Sequence, residues 1–124
     1  KNLIQIKDDV ILLDARETKE YEVSHIPGAR YVGFDDFDES AVSDIDKDKR
    51  IVVYCSIGYR SEKIGKKLKK LGYSNLYNLF GSIFEWVNAG QQLEDKEGRK
   101  TNKIHTYNKK WSRWVNSDLA EKVW

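Results

Sequence analysis

The single cysteine of the chain stands in a short loop between an apolar run and a lysine-rich helical pattern. Cys55 follows the apolar residues 51–54 and opens the stretch CSIGYRS, residues 55–61. Ligands of parallel sheets bind beyond the carboxyl ends of the strands, which is where this pattern places Cys55. Gly58 permits a positive φ angle, and such a loop can point several backbone N–H groups at its own centre. The position therefore predicts a reactive thiol rather than a residue that only fills the core.

The surroundings of Cys55 favour the thiolate, which is the nucleophilic form of cysteine. The N-terminus of the following helix contributes partial positive charge, and Arg60 contributes a full charge. The same groups would stabilise an anionic product left on the sulfur. We therefore predict that Cys55 is a catalytic nucleophile. The rest of the loop is predicted to bind the substrate: Ser56, Ile57, Gly58, Tyr59, Arg60 and Ser61. Tyr59 is either a wall of the pocket or an exposed aromatic residue.

The spacing between Cys55 and Arg60 distinguishes two chemistries. Cysteine phosphatases hold a tetrahedral phosphate in a C-x5-R loop, whereas four residues separate the cysteine from the arginine here. The tighter C-x4-R loop is better suited to a single added sulfur atom. Phosphatase and arsenate reductase activities are the less favoured alternatives, and we expect no hydrolysis of a small aryl phosphate.

The elements that must position this loop follow from the alternation of apolar runs and helical patterns. Strands are predicted at residues 3–6, 10–13, 29–32, 51–54 and 76–79. Helices are predicted at residues 17–23, 38–45, 61–71 and 82–88, and an amphipathic helix from Trp111 onward. Strands that alternate with helices predict an α/β fold with a mostly parallel sheet.

Three motifs follow one another along the chain. They are LLDARETKEYEVSHIPGA at residues 12–29, CSIGYRS at residues 55–61 and LFGSIFEW at residues 79–86. They resemble the D-x-R…E-[YF]…H-I-P-G-A, C-x-x-G-x-R-S and L-x-G-G-x-x-x-W patterns of the single-domain rhodaneses, a family of sulfurtransferases. Ser82 replaces the second glycine of the last motif. The resemblance covers roughly residues 3–93.

This resemblance implies a central parallel sheet with helices on both faces and a two-step reaction. Cys55 would take a sulfane sulfur from a donor, hold it as a persulfide against the loop N–H groups, and pass it to a thiol or to cyanide. The family needs no metal and no organic cofactor. Ser56 and Ile57 stand where relatives with strong thiosulfate activity carry basic residues. A small-molecule or protein persulfide is therefore the expected donor beside thiosulfate.

Three further residues near the loop are predicted to be structural. Asp14 and Arg16 follow a strand, where buried charges need partners. We expect Asp14 to bind loop backbone and Arg16 to pair with Glu20. His25 lies in the turn sequence HIPGA, and we favour a supporting role over that of a base for Cys55.

Composition and charge limit the remaining possibilities. The chain has 124 residues, a net charge of +2 and 34% charged residues, which predicts one core and no nucleic-acid partner. No apolar run is long enough for a bilayer. One cysteine cannot form an internal disulfide, so we favour the cytoplasm, with the periplasm as the alternative because any segment before Lys1 is not visible.

The chain is predicted to divide into a rhodanese domain, residues 1–95, and a helical C-terminal extension, residues 96–124. We expect the extension to dock on the same domain, with a dimer formed through it as the alternative. A non-catalytic rhodanese-like interaction module is the alternative to the enzyme, although the retained cysteine, glycine and arginine of the loop argue against it.

Overall fold

A four-stranded parallel sheet forms the centre of the molecule. The computed structural model describes residues 10–79 and 82–124, and the strand predicted at residues 3–6 lies outside them. The sheet has the order β2-β1-β3-β4, and every neighbouring pair is parallel. Its strands are β1 (Val10–Asp14), β2 (Arg30–Tyr31), β3 (Arg50–Tyr54) and β4 (Leu76–Asn78). The predicted parallel strands after residue 9 are therefore confirmed.

Each face of the sheet carries its own apolar cluster, because successive side chains of a strand point to opposite sides. Val52 and Tyr54 of β3 belong to one cluster, and Ile51 and Val53 belong to the other. Both faces of β3 are thus buried, which is why its sequence is a continuous apolar run.

Helices cover both faces, so the predicted fold class is confirmed. They are α1 (Thr18–Val23), α2 (Tyr59–Lys70) and α3 (Ser82–Asn88). Helix α2 buries Ile64 and Leu68 against one face, and α3 packs on the other. The helix predicted at residues 38–45 is only a 3-10 turn, Glu39–Ala41. Within the described residues, no helix has the length and apolar character needed to cross a bilayer.

The segment after residue 90 is built mainly from short strands. They are β5 (Leu93–Glu94), β6 (Lys100–Thr101), β7 (Lys103–His105) and β8 (Glu121–Val123), with one short helix α4 (Lys109–Ser112) between the last two. β5 pairs antiparallel with β6, and β7 pairs parallel with β8.

The long amphipathic helix predicted from Trp111 is wrong, because α4 ends at Ser112. Val115, one of the residues whose spacing suggested that helix, instead joins Ile104 and Ala120 in the apolar cluster that contains α3. The described part of the extension therefore packs on the domain, while the proposed boundary at residue 95 stays a prediction.

Candidate active site

Cys55 lies directly after β3, at the carboxyl end of the central strand. Its side chain is buried, with 1% of the residue exposed. The backbone N–H of Gly58 donates a hydrogen bond to Cys55 Sγ at 3.0 Å. Gly58 precedes α2 and has φ 118°, a conformation that L-residues rarely adopt. The loop thus turns back on itself so that a backbone donor faces the sulfur.

The start of α3 holds the backbone of Cys55 in place. Ser82 Oγ accepts the Cys55 N–H at 3.1 Å, and the Ile83 N–H donates to the Cys55 carbonyl at 3.1 Å. Ser82 has φ 53°, which explains why the resembling motif has glycine at this position. Sequence reasoning noted Ser82 only as a departure from a pattern and missed its contact with the nucleophile.

A buried ion pair lies beneath the loop. Arg60 Nη1 donates to Glu20 Oε1 at 2.8 Å, and Arg60 Nη2 donates to Glu20 Oε2 at 3.1 Å. Ser56 Oγ joins them, since it donates to Glu20 Oε2 at 3.0 Å and accepts from Arg60 Nη2 at 2.8 Å. The Glu17 N–H also donates to Glu20 Oε1 at 3.0 Å. Glu20 therefore ties the first turn of α2 to α1, a role that sequence reasoning did not assign.

Each side chain of this pair stabilises the ionised form of the other. Burial works to raise the pKa of Glu20, but the hydrogen bonds and charge of Arg60 outweigh it and the pKa lies below its ordinary value. Burial works to lower the pKa of Arg60, but Glu20 outweighs that effect and the pKa is raised. A charged guanidinium consequently stays next to the Cys55 loop.

A pocket of about 270 Å³ opens beside this loop. Tyr59, which is 62% exposed, and Arg60 form the loop side. The C-terminal extension supplies Tyr107 and Trp111, whose rings lie 4.9 Å and 5.9 Å from the Arg60 guanidinium carbon. Tyr59 thus lines this pocket and is at the same time an exposed aromatic residue. Tyr107 and Trp111 were missed as site residues because their spacing suggested only a packed helix.

The sequence profile of the rhodanese-like domain family matches residues 1–89. This chain belongs to the rhodanese-like domain family. The match contains the Cys55 loop, the Glu20–Arg60 pair and α3, whereas Tyr107 and Trp111 lie beyond it.

Solved rhodanese-like structures share this fold. The rhodanese-like domain of the Alr3790 protein from Anabaena sp. has a TM-score of 0.67 and 25% sequence identity, and the alignment covers 72% of this chain and 67% of that one. Thiosulfate sulfurtransferase from Pseudomonas aeruginosa has a TM-score of 0.64 and 26% identity, over 69% of this chain and 17% of that one.

Curated relatives are longer enzymes. The tRNA uridine(34) hydroxylase of Hamiltonella defensa is 37% identical over 95 residues, which are 72% of this chain and 27% of the relative. The corresponding enzyme of Erwinia tasmaniensis is 33% identical over 89 residues, which are 25% of its length. The chain thus spans about a quarter of the length of the curated relatives it matches.

Asp14 and Arg16 form a second buried charged cluster together with Tyr54. Arg16 pairs with Asp14 at 2.7 Å rather than with Glu20, and the Tyr54 hydroxyl donates to Asp14 Oδ2 at 2.7 Å. The expected partners of Asp14 and Arg16 were therefore wrong. Both side chains are fully buried, and buried charges need a partner, which each finds in the other two residues away.

His25 has its contacts in α1 and β5. Its ring stacks on Tyr21 with 3.9 Å between centroids, and its Nδ1 lies 3.1 Å from the Tyr21 carbonyl oxygen. Its backbone bridges to Glu94. These contacts support the turn between α1 and β2. Ser61 has a similar local role, since its hydroxyl donates to Asn78 Oδ1 of β4 at 2.7 Å.

The part of the chain that the structure describes contains no cluster of potential metal ligands. Within residues 10–79 and 82–124, no group of three or more His, Cys, Asp or Glu side chains is arranged to hold a metal ion. The polar group in contact with Cys55 Sγ is the Gly58 N–H, and the nearby Arg60 guanidinium is paired with Glu20.

Replacing Gly58 by alanine is expected to destabilise the domain by about 1–2 kcal/mol, because a side chain is strained at its positive φ. The displaced Gly58 N–H should also slow modification of Cys55 by thiol reagents. Urea unfolding and the rate of alkylation measure the two effects.

Gly65 provides a matched control in the middle of α2. A Cβ atom meets nothing within 4 Å at either glycine, so only the backbone conformation differs. Gly65→Ala should leave alkylation unchanged and raise stability by about 0.5–1 kcal/mol. Equal effects of both substitutions on stability would contradict the importance of the Gly58 conformation.

Proposed function

We propose that this rhodanese-like domain is a sulfurtransferase that carries a sulfane sulfur on Cys55. One observation supports this most strongly: the only cysteine lies at the carboxyl end of β3 with the Gly58 N–H directed at its sulfur. Preorganised donors of this kind stabilise negative charge as it develops. The first turn of α2 adds the positive end of a helix dipole and contains Arg60, whose charge is paired with Glu20.

The reaction would proceed in two balanced steps. The Cys55 thiolate attacks the outer sulfur of thiosulfate, the sulfur–sulfur bond breaks, and sulfite leaves with the bonding electrons. The attached sulfur then carries the negative charge near the Gly58 N–H. An acceptor thiolate attacks this outer sulfur, Cys55 leaves as a thiolate, and the acceptor becomes a persulfide. Cyanide would react in the same way and leave as thiocyanate.

The burial of Cys55 favours donors that end in an unhindered sulfur. Thiosulfate and a persulfide, whether small or carried by a protein side chain, meet this requirement. The likeness to thiosulfate sulfurtransferase from Pseudomonas aeruginosa supports the same class of donor. Ser56 directs its hydroxyl to Glu20, and Ile57 carries no charge, so a doubly charged donor gains little from these two positions.

Intact-mass measurement tests the first step. The protein is incubated with thiosulfate and, separately, with an organic persulfide, then freed of donor and weighed. We expect a gain of one sulfur atom that disappears after addition of cyanide, with thiocyanate released. An unchanged mass with both donors would reject the proposal, provided that iodoacetamide labels the same preparation and so reports an intact thiol.

The curated relatives support a second candidate function, in which the domain serves tRNA modification. Those relatives are named tRNA uridine(34) hydroxylases, and this would revise the expectation that no nucleic acid is bound. Expression of wild-type and Cys55→Ser protein in a bacterium lacking its own tRNA uridine(34) hydroxylase tests the idea. Hydroxylated uridine at position 34 in the wild-type strain alone would support it, and its absence from both strains would count against it.

A further inference from the structure

The pocket beside the Cys55 loop is lined by aromatic rings and carboxylates. Phe34, Tyr59, Tyr107 and Trp111 contribute the rings, and Glu17 and Asp35 contribute the carboxylates. The remaining lining residue is Arg60, whose charge is already balanced by Glu20 through two hydrogen bonds. The lining thus holds two carboxylates and one guanidinium, a formal net charge of −1, and the Glu17 carboxylate also lies 3.7 Å from the exposed Lys19 ammonium.

Cations of the protein itself already occupy the faces of these rings. The Arg60 guanidinium lies over Tyr107 and Trp111, and the Lys63 ammonium lies 5.2 Å from the centre of the Tyr59 ring. Aromatic faces attract cations through their quadrupole, and carboxylates add direct charge attraction. These contacts show that the rings accept cations, and a further alkylammonium or guanidinium group would gain direct charge attraction from the Glu17 and Asp35 carboxylates, which would repel an anion.

The pocket adjoins the nucleophile through the loop itself. Tyr59, one of its walls, directly follows Gly58, whose N–H binds Cys55 Sγ. A molecule held against Tyr59 therefore lies beside the loop that carries the sulfur.

The wall contributed by Tyr107 is held by specific contacts. Tyr107 has φ 74°, a costly conformation for a bulky residue, and its N–H donates to His105 Nδ1 at 3.0 Å. Burial lowers the pKa of His105, which keeps Nδ1 available as an acceptor. Trp111 is also held in place, because its backbone N–H donates to Asn108 Oδ1 at 2.8 Å.

We propose that this pocket selects positively charged sulfur acceptors, binding the ammonium or guanidinium group of an aminothiol or of a basic protein segment beside Cys55. The inference rests on the proposed sulfurtransferase function for the transfer itself. The binding of the cationic group stands independently of it.

Three small thiols of similar size test the selectivity: cysteamine is cationic, 2-mercaptoethanol is neutral and mercaptoacetate is anionic. The second-order rate constant for removal of sulfur from Cys55 is measured for each, in wild type and in a Glu17→Gln/Asp35→Asn variant. Because the thiols differ in intrinsic reactivity, the quantity compared is the ratio of wild type to variant. We expect a ratio of about 10 for cysteamine, about 1 for 2-mercaptoethanol and below 1 for mercaptoacetate.

Matched variants separate the pocket from general effects of charge and packing. Asp46→Asn/Asp48→Asn removes two exposed carboxylates that do not line the pocket, and its ratios should be near 1 for all three thiols. Trp111→Leu should lower the rate with cysteamine several-fold, whereas Trp114→Leu, at a 43% exposed residue outside the pocket, should not. Equal ratios for the three thiols in the Glu17→Gln/Asp35→Asn variant would overturn the proposal.

A binding measurement covers the case in which no persulfide forms. Ethanolamine, ethylene glycol and glycolate match the three thiols but carry no sulfur. In nuclear magnetic resonance titrations of the resting protein, ethanolamine alone should shift the indole N–H signal of Trp111, and the Glu17→Gln/Asp35→Asn variant should lose this shift. Ethanolamine binding without persulfide formation rejects the sulfurtransferase and keeps the pocket; absence of a shift in the wild type rejects the pocket.

Discussion

Cys55→Ser is expected to abolish both persulfide formation and turnover. A serine hydroxyl cannot hold a sulfane sulfur, so the mass gain after treatment with donor should vanish. Release of thiocyanate from thiosulfate and cyanide should fall by about 10³-fold or more, toward the uncatalysed rate. Intact mass and a colorimetric thiocyanate assay measure the two effects.

The substitution should leave the fold intact, since serine is close to cysteine in size and the Gly58 N–H can donate to its hydroxyl instead. Urea unfolding of Cys55→Ser and wild type checks this. Substantial turnover in a folded Cys55→Ser protein would mean that the sulfur is carried elsewhere or transferred directly, and the covalent mechanism would be wrong.

Glu20→Gln should lower the free energy of unfolding more than the substitutions of Gly58, Gly65, Cys55 or Glu62 do. The glutamine would leave the buried Arg60 charge without its counter-charge, and its single oxygen could no longer accept all four hydrogen bonds that reach the two oxygens of Glu20. Removal of one member of a buried pair costs about 3–5 kcal/mol, so we expect a loss of about 3 kcal/mol at neutral pH. Urea unfolding followed by tryptophan fluorescence measures it.

The same variant should change the response to acid. The pKa of Glu20 is lower in the folded protein than its ordinary value of 4.5, so its contribution is fully present above about that pH. The contribution is lost as the pH falls below 4.5 through the folded-state pKa. The difference in the free energy of unfolding between wild type and Glu20→Gln should therefore be constant from pH 7 to 5 and shrink below that.

Glu62→Gln is the control, because Glu62 is exposed on α2 and lies 3.9 Å from Lys66. Surface pairs of this type contribute about 0–1 kcal/mol, and no comparable acid dependence is expected. A Glu20→Gln variant no less stable than Glu62→Gln would show that the buried pair does not hold the loop, and the structural role given to Glu20 would have to be abandoned.

The strand, loop and helix around Cys55 were predictable from local sequence. The apolar run of β3, the glycine of the loop and the buried stripe of α2 each follow from the chemistry of neighbouring residues. Helix α2 begins at Tyr59 rather than at residue 61, because Gly58 completes the turn in a left-handed conformation and the helix can start immediately after it.

The contacts between distant segments were not predictable in the same way. Glu20 and Arg60 are 40 residues apart, and each is one of many candidates, since the sequence contains 20 Asp and Glu and 22 Lys and Arg residues. In the extension, the spacing of Trp111 and Val115 fits a helix, but burial of Val115 and Ala120 and the pairing of β8 with β7 outweigh that local preference. Tertiary packing decided the structure of this segment.

The walls of the pocket come from two parts of the chain, one inside the family match and one outside it. Tyr59 and Arg60 lie inside the family match, whereas Tyr107 and Trp111 lie outside it and are anchored by the β7–β8 pair. Exchange of the segment between these two strands would replace the Tyr107 and Trp111 walls of the pocket, whereas the Gly58–Cys55 hydrogen bond belongs to the part inside the family match. The loop around the sulfur and the outer wall of the pocket are thus separable parts of this chain, and the second is free to change without the first.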